Sequence, residues 1–443
     1  MGRRSVATSL VMVLILGVTT VMEVPAAIAA GGDPVILTRT QLGATPVHKG
    51  LRTPVQTLHL PTGRWVVLAK AHVSACKKCR VTVECQLSLG NGTGRDVHHG
   101  AALVYGGRGI DVAFSVARDL TAAVGADAQL RCGGNKGGAT IEGIRIQAIQ
   151  VARLRKVDLA TGEATETGVG IPFAIQGRLA AYTTLTPADP SWGEEYAVMA
   201  ALPLPPGRWW AHATAIAQMP TPQRHAYFAD CYLSVANGSD QSAVSMNRYV
   251  QPDPKVMELD VVSAFRSPRD ASLECQGAEQ TSVGDIRITA LKVGRSTTSY
   301  EGDAPTTSGT GAPRVVHAAD DQSSWNYDVD EATMASVTLP VGRWLVLGKL
   351  TASSEGIHVA PACRLAVADV TDHTEDLEVY YEQTFVMRLV AVVRAPGEAV
   401  IICQAATTPG FEYVSAWNVG ISAIQVRDLN NPRRDTPAVR GAR

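Results

Sequence analysis

Eight cysteines are the side chains in this 443-residue sequence best able to do chemistry. Cys76 and Cys79 form a Cys-x-x-Cys pair around Lys77 and Lys78, and neighbouring cations favour the thiolate, the form that attacks disulfides. Together with Cys85 and Cys132 the pair would also supply four sulfur donors, a set that suits zinc. Neither reading fits its surroundings well. No strand–helix–strand pattern encloses the CKKC, and the spacing completes only half a zinc site. Structural disulfides are therefore expected.

Other candidate groups are sparse. His98 and His99 are adjacent, and neighbours in extended chain point to opposite sides, so they make a poor two-ligand metal site and read as a solvated loop. Acidic residues gather at Asp320-Asp321, at Asp328, Asp330 and Glu331, and at Glu194-Glu195, without the regular spacing of a calcium loop. Four aromatics stand in polar, acidic segments: Trp192 with Tyr196, and Trp325 with Tyr327. Such rings can stack on the apolar faces of sugars while carboxylates accept their hydroxyls; the plainer alternative is an aromatic lid over the end of a sandwich. No HExxH, GxSxG, P-loop or strand-linked GxGxxG occurs, so no catalytic residue, cofactor or metal is assigned.

The elements that would position these groups come in triplicate. LPTGRWVVLAKA from Leu60 returns as LPPGRWWAHATA from Leu204 and as LPVGRWLVLGKL from Leu339. CQLSLGNGT at Cys85 matches CYLSVANGS at Cys231 and CRLAVADVT at Cys363, and Cys132, Cys275 and Cys403 follow in turn. Each copy closes on an apolar strand ending at Val151, Val293 or Val426. The tryptophans Trp65, Trp209 and Trp344 are 144 and 135 residues apart, too far for a solenoid repeat, so each copy should own a core. Short runs rich in Ile, Val and aromatics, with Asn91-Gly92 and Asn237-Gly238 as hairpin turns, predict an all-β chain. The expected architecture is three tandem antiparallel β-sandwich domains after a signal peptide. In each GRW, Trp should enter the core and Arg should stay at the surface.

The predicted boundaries are a signal peptide at 1–29, repeats at 34–154, 170–293 and 313–427, a flexible Ser/Thr/Gly-rich linker at 294–312, and a disordered, arginine-bearing tail at 428–443. Two cysteines per copy in repeats two and three pair Cys231 with Cys275 and Cys363 with Cys403. Position then pairs Cys85 with Cys132 and leaves Cys76 for Cys79.

Arg3 and Arg4, an apolar run to Met22 and Ala27-Ile28-Ala29 have the order of a secretory leader. The product is expected outside the cell, with no membrane insertion after cleavage. Hydrophobic residues make up 46% of the chain, enough for a core. Lys and Arg total 40 against 41 acids, too even for a nucleic-acid partner held through its phosphates.

With its LP-x-GRW, C-x-L, late Cys and closing AIQV-like strand, each unit resembles domains of secreted proteins of high-GC Gram-positive bacteria. More distantly, the order of Pro-x-Gly turn, inward aromatic strand, hairpin and closing strand resembles the jelly roll of the tumour-necrosis-factor and complement-head class. That class forms trimers, so the resemblance implies that three tandem units could pack around a pseudo-threefold axis within one chain. It transfers no functional residue. The functional expectation is a non-catalytic protein that binds a cell-surface polysaccharide or a protein through repeated modules, where linkage raises avidity. The rival readings are a structural surface component and a hydrolase with its site in repeat one.

Overall fold

The computed structural model describes residues 33–428 apart from 51–52, 77, 91–96, 106–108, 122–123, 186–195, 219–226, 247–253, 279, 301–305, 321–323, 327–330, 374–378 and 407–412. The predicted leader, and the predicted tail beyond Asp428, lie outside these residues. Among those described there is no helix. The first repeat holds β1 (Val35–Gln41), β2 (Thr45–Pro46), β3 (Thr53–Leu60), β4 (Gly63–Ala75), β5 (Arg80–Leu89), β6 (Val97–Tyr105), β7 (Gly109–Leu120), β8 (Ala126–Gly134) and β9 (Ala139–Val151). After β10 (Arg153–Asp158) and β11 (Ala164–Gly168), the second holds β12 (Phe173–Leu179), β13 (Thr183–Thr184), β14 (Ala197–Leu204), β15 (Gly207–Gln218), β16 (Tyr227–Val235), β17 (Gly238–Met246), β18 (Lys255–Phe265), β19 (Arg269–Gly277) and β20 (Ser282–Val293). After β21 (Arg295–Tyr300) and β22 (Thr306–Gly309), the third holds β23 (Arg314–Asp320), β24 (Ser324–Asn326), β25 (Ala332–Leu339), β26 (Gly342–Val367), β27 (Val370–His373), β28 (Val379–Val393), β29 (Gly397–Ala406) and β30 (Tyr413–Asp428).

The same ladder is built three times. In repeat one an inner row runs β1-β9-β4-β7 and an outer sheet runs β3-β8-β5-β6. Repeat two repeats this as β12-β20-β15-β18 and β14-β19-β16-β17. In repeat three β26 crosses between layers: its first half lies between β30 and β28, its second between β29 and β27. A separate apolar core fills each repeat, with Trp65, Trp209 and Trp344 fully buried in the respective cores. Each indole nitrogen donates to the proline carbonyl four residues earlier (Pro61, Pro205 and Pro340), at 2.9 Å in all three copies.

The GRW strands read as unbroken apolar runs because both their faces are buried. In β4, Trp65, Val67, Ala69 and Ala71 point into the repeat's own core, while Val66 and Leu68 enter a fourth cluster. That cluster also takes Trp210 and Leu291 from repeat two and Leu345, Leu347 and Ile424 from repeat three. The inner rows thus face one another at the centre of the molecule, and period-two alternation supplies one apolar set to each side.

Two expectations are corrected here. The 294–312 segment is not a flexible linker over its described part: β21 and β22 form an antiparallel hairpin, and β21 lies parallel against β23. Its Thr residues are β-branched, so a composition that suits a coil also suits an edge strand. β10 and β11 dock on β12 in the same way. The repeats are also not self-contained, since the end of β30 pairs in parallel with β1 and joins the first and third inner rows into one 15-stranded sheet. Three equivalent bonds mark this ring: Ala152 N to Pro172 O, Gly294 N to Pro313 O, and Arg427 N to Pro34 O, at 2.8, 2.8 and 2.9 Å. The GRW arginines hold the hairpins down, Arg64 on Thr167 and the Ala152 carbonyl and Arg208 on Ser308.

Candidate binding surfaces

Below the central apolar cluster lies a layer of buried charge. The register places Lys70, Thr214 and Lys349 at equivalent positions, and likewise His98, Asp240 and Asp372. Lys70 of repeat one pairs with Asp372 of repeat three at 2.7 Å, joined by Arg145 at 2.9 Å. Lys349 of repeat three pairs with Asp240 of repeat two and donates to the Gln241 carbonyl at 2.6 Å. At the third junction both charges are gone: Thr214 replaces the lysine, His98 replaces the aspartate, and Arg287 donates to the Val97 carbonyl. In all three the acceptor is also held by a backbone N–H of its own repeat, from Ser115, Asp260 or Arg388. Arg388 reaches the other two repeats at once, donating to the Ala69 carbonyl at 3.0 Å and facing Glu258 at 2.7 Å.

His212, Glu258 and Asp260 in this layer are close enough together to hold a cation. Their charges are already matched. Glu258 faces the Arg388 guanidinium, and Asp260 lies 3.1 Å from His212. Burial by itself would raise the Asp260 carboxyl, but His212, with Lys349 and Arg388, holds it below the ordinary range. A divalent ion would sit beside a buried guanidinium, so the triad fits an ion-pair network better than a metal centre.

The outer faces differ. On β16 the inward residues Ala229, Cys231 and Leu233 are buried, which turns Phe228, Asp230 and Tyr232 to the other face, where Phe228 is exposed, Tyr232 half-buried and Asp230 buried under its neighbours. Tyr196, just before β14, packs edge-on against Tyr232 with ring centres 4.8 Å apart. Its hydroxyl donates to Asp230 at 2.8 Å and accepts from Gln276 at 2.6 Å, while Gln241 donates to the same Asp230 oxygen at 2.7 Å. Burial and the Asp230 charge push the Tyr196 hydroxyl far up, so it remains a donor. The register gives Glu331 and Arg364 of repeat three the places of Tyr196 and Tyr232, and there they form a bidentate ion pair at 2.9 and 2.8 Å.

Of the four aromatics singled out in the sequence, Tyr196 is half-buried in this cluster. Trp192 and Tyr327 lie outside the described residues, and Trp325 is placed only by its backbone, opposite Val414. Phe228 and Tyr232 were missed; their signal was the alternation around Cys231. His98 is not in a solvated loop but buried in β6, because the strand turns it toward repeat two. All four expected disulfides are present: Cys76–Cys79, Cys85–Cys132, Cys231–Cys275 and Cys363–Cys403. The last three staple directly opposed residues within each outer sheet. Cys76–Cys79 closes a turn after β4, with Cys79 N donating to Cys76 O at 2.8 Å.

No family model matches this chain, and no curated protein matches it. Among solved structures it is similar to the CBM22-1–CBM22-2 tandem domain of Paenibacillus barcinonensis Xyn10C, at 12% identity and TM-score 0.18 over 60% of this chain and all of that one. It is also similar to the triple jelly-roll protein of an archaeal virus turret, at 8% identity and TM-score 0.20 over 89% and 90% of the two chains. The VP2 subviral particle of infectious bursal disease virus gives 9% identity and TM-score 0.21 over 91% and 84%. These distant neighbours are jelly-roll folds, and at such scores their likeness to this chain carries no functional argument.

Proposed function

We propose that the protein is a secreted, non-catalytic binding protein whose three jelly-roll-like β-sandwich modules serve as one rigid platform for ligand-binding outer faces. One observation carries this reading: the inner faces keep one strand register throughout and the same Lys–Asp pairing at two of three junctions, whereas the outer faces of repeats two and three carry unrelated chemistry at equivalent positions. A purely structural component would have no need of that divergence. The outer sheet of repeat two is the binding face proposed for a cell-surface polysaccharide. Phe228 (38% exposed) and the half-buried Tyr232 offer ring surface beside the half-buried Gln241 amide, while the buried Asp230 and Gln276 hold Tyr196 in place beneath them. Export is supported by the leader-like N-terminus and four disulfides, which persist in oxidising compartments. Among the described residues no helix is long and apolar enough to cross a membrane.

Sedimentation with insoluble cell-wall and plant polysaccharides tests the proposal. At least one polymer should pull the protein down, and the double variant Phe228→Ala/Tyr232→Ala should weaken that binding about tenfold or more. Unchanged binding by a folded double variant would remove repeat two as the face. Self-association without any ligand would favour the structural alternative.

A further inference from the structure

The Cys76–Cys79 disulfide stands apart from the other three in exposure and in span. Cys85, Cys132, Cys231, Cys275, Cys363 and Cys403 are 2% exposed or less, which closes their sulfurs to a dissolved thiol. Cys76 is exposed and Cys79 is half-buried. The three buried disulfides join cysteines 47, 44 and 40 residues apart, whereas Cys76 and Cys79 are three apart. So short a loop restricts the unfolded chain far less than the long ones do.

The other two repeats act as internal controls. Each builds its layers around one disulfide, Cys231–Cys275 or Cys363–Cys403, and has no further cysteine. The module therefore folds without a counterpart of Cys76–Cys79.

The surroundings of this disulfide are basic. Residues 47–50, 76–79 and 135–138 meet at one end of repeat one. Cys76 N donates to Gly138 O and Val47 N to Ala139 O, both at 2.9 Å, and Gly134 N donates to His48 O at 3.1 Å. These three segments hold His48, Lys49, Lys77, Lys78 and Lys136 and no acidic residue, and Lys49, Lys78 and Lys136 are exposed. Nearby cations favour a thiolate, which makes a cysteine a better leaving group in disulfide exchange. The β8–β9 turn also makes room for the sulfurs. A Cβ on Gly138 would stand 2.5 Å from Cys79 Sγ and 3.9 Å from Cys76 Sγ.

We propose that Cys76–Cys79 is an exchangeable disulfide, a site of reversible modification by low-molecular-weight thiols. The thiolate of the small thiol attacks the exposed Cys76 sulfur. The Cys76–Cys79 bond breaks, a mixed disulfide forms on Cys76, and the electron pair leaves on Cys79 as its thiolate. A second small thiolate attacks the small-molecule sulfur of that mixed disulfide and releases Cys76. Two thiols are thereby oxidised to one small disulfide, and their two protons end on Cys76 and Cys79. A small disulfide runs the sequence backwards. The site makes no use of Phe228 or Tyr232, so it stands or falls separately from the polysaccharide face.

The test uses the full oxidised chain, incubated without denaturant in mixtures of reduced glutathione and glutathione disulfide. Acid quenching, alkylation and peptide mass analysis then read the state of each cysteine. Cys76 and Cys79 should become alkylated at least about tenfold faster than any other cysteine. Cys79→Ser, offered glutathione disulfide, should hold glutathione on Cys76. Cys76→Ser/Cys79→Ser should still unfold cooperatively on heating, as repeats two and three fold without this bond. The proposal is overturned if Cys76–Cys79 stays oxidised in excess reduced glutathione, or opens no sooner than the buried disulfides. It is equally overturned if folded Cys79→Ser takes up no glutathione, or if the double variant fails to fold, which would make the bond a structural one.

Discussion

Lys349 and Asp240 show how the junctions between repeats are specified. A buried lysine without its carboxylate, or the reverse, leaves a charge in a medium that cannot solvate it, which costs about 3–5 kcal/mol. The three junctions avoid this by changing both members together, Lys70/Asp372 and Lys349/Asp240 against Thr214/His98. Lys349→Thr alone should therefore destabilise the protein by about 3–5 kcal/mol, read from urea unfolding. The double variant Lys349→Thr/Asp240→His, which copies the third junction, should recover about 1–3 kcal/mol of that loss. Simple additivity of the two single changes would show that the pairing is not what couples them. A trace of this layer was legible in the sequence, where Lys70 and Lys349 interrupt otherwise apolar strands. Their partners were not, because they come from other repeats some 300 and 100 residues away.

At the scale of elements, the repeated LP-x-GRW string is a turn and a strand with one geometry. Gly63, Gly207 and Gly342 have φ of +145°, +155° and +156°, and the indole nitrogen behind each lies 3.2–3.3 Å from where a Cβ would stand. Gly342→Ala would also bring that Cβ within 3.0 Å of Gln425 Nε2. It should cost about 1–3 kcal/mol and lower Tm without changing the disulfides, a result that calorimetry and non-reducing mass analysis would check. The repeats, the strand character and all four cysteine pairs were legible because each rests on local pattern or on comparison among copies. The β10–β11 and β21–β22 hairpins were not, because Ser, Thr and Gly describe a coil as readily as an edge strand until a neighbour supplies the ladder. The passage of β26 through both layers was equally hidden, since a bend between sheets leaves no mark on hydrophobic alternation.

For the whole molecule, ring closure puts titratable groups from all three repeats into one buried layer, and their signs can be weighed. Burial lowers His317, whose ring lies near Asp260 and Lys349 and bonds Ser422, to about 4. Burial, with Arg287, His99 and Arg178, lowers His98 well below its ordinary value. Both must be neutral to fold, so the stability they confer is present above about pH 6.5 and is lost as pH falls toward their folded values, about 3 kcal/mol for His317. Asp240 works the other way. Burial raises it to about 6 despite Lys349, so its protonation on acidification favours the folded state by about 3 kcal/mol between pH 6 and 4. One histidine therefore offsets the aspartate and the second decides the sign. Below about pH 4 the lowered Asp260 adds a further loss in the same direction. Calorimetry from pH 7.5 to 4 should show Tm falling, and His317→Asn should flatten the fall. A Tm that rises on acidification would mean that Asp240 dominates and that the histidines are not sealed at the centre.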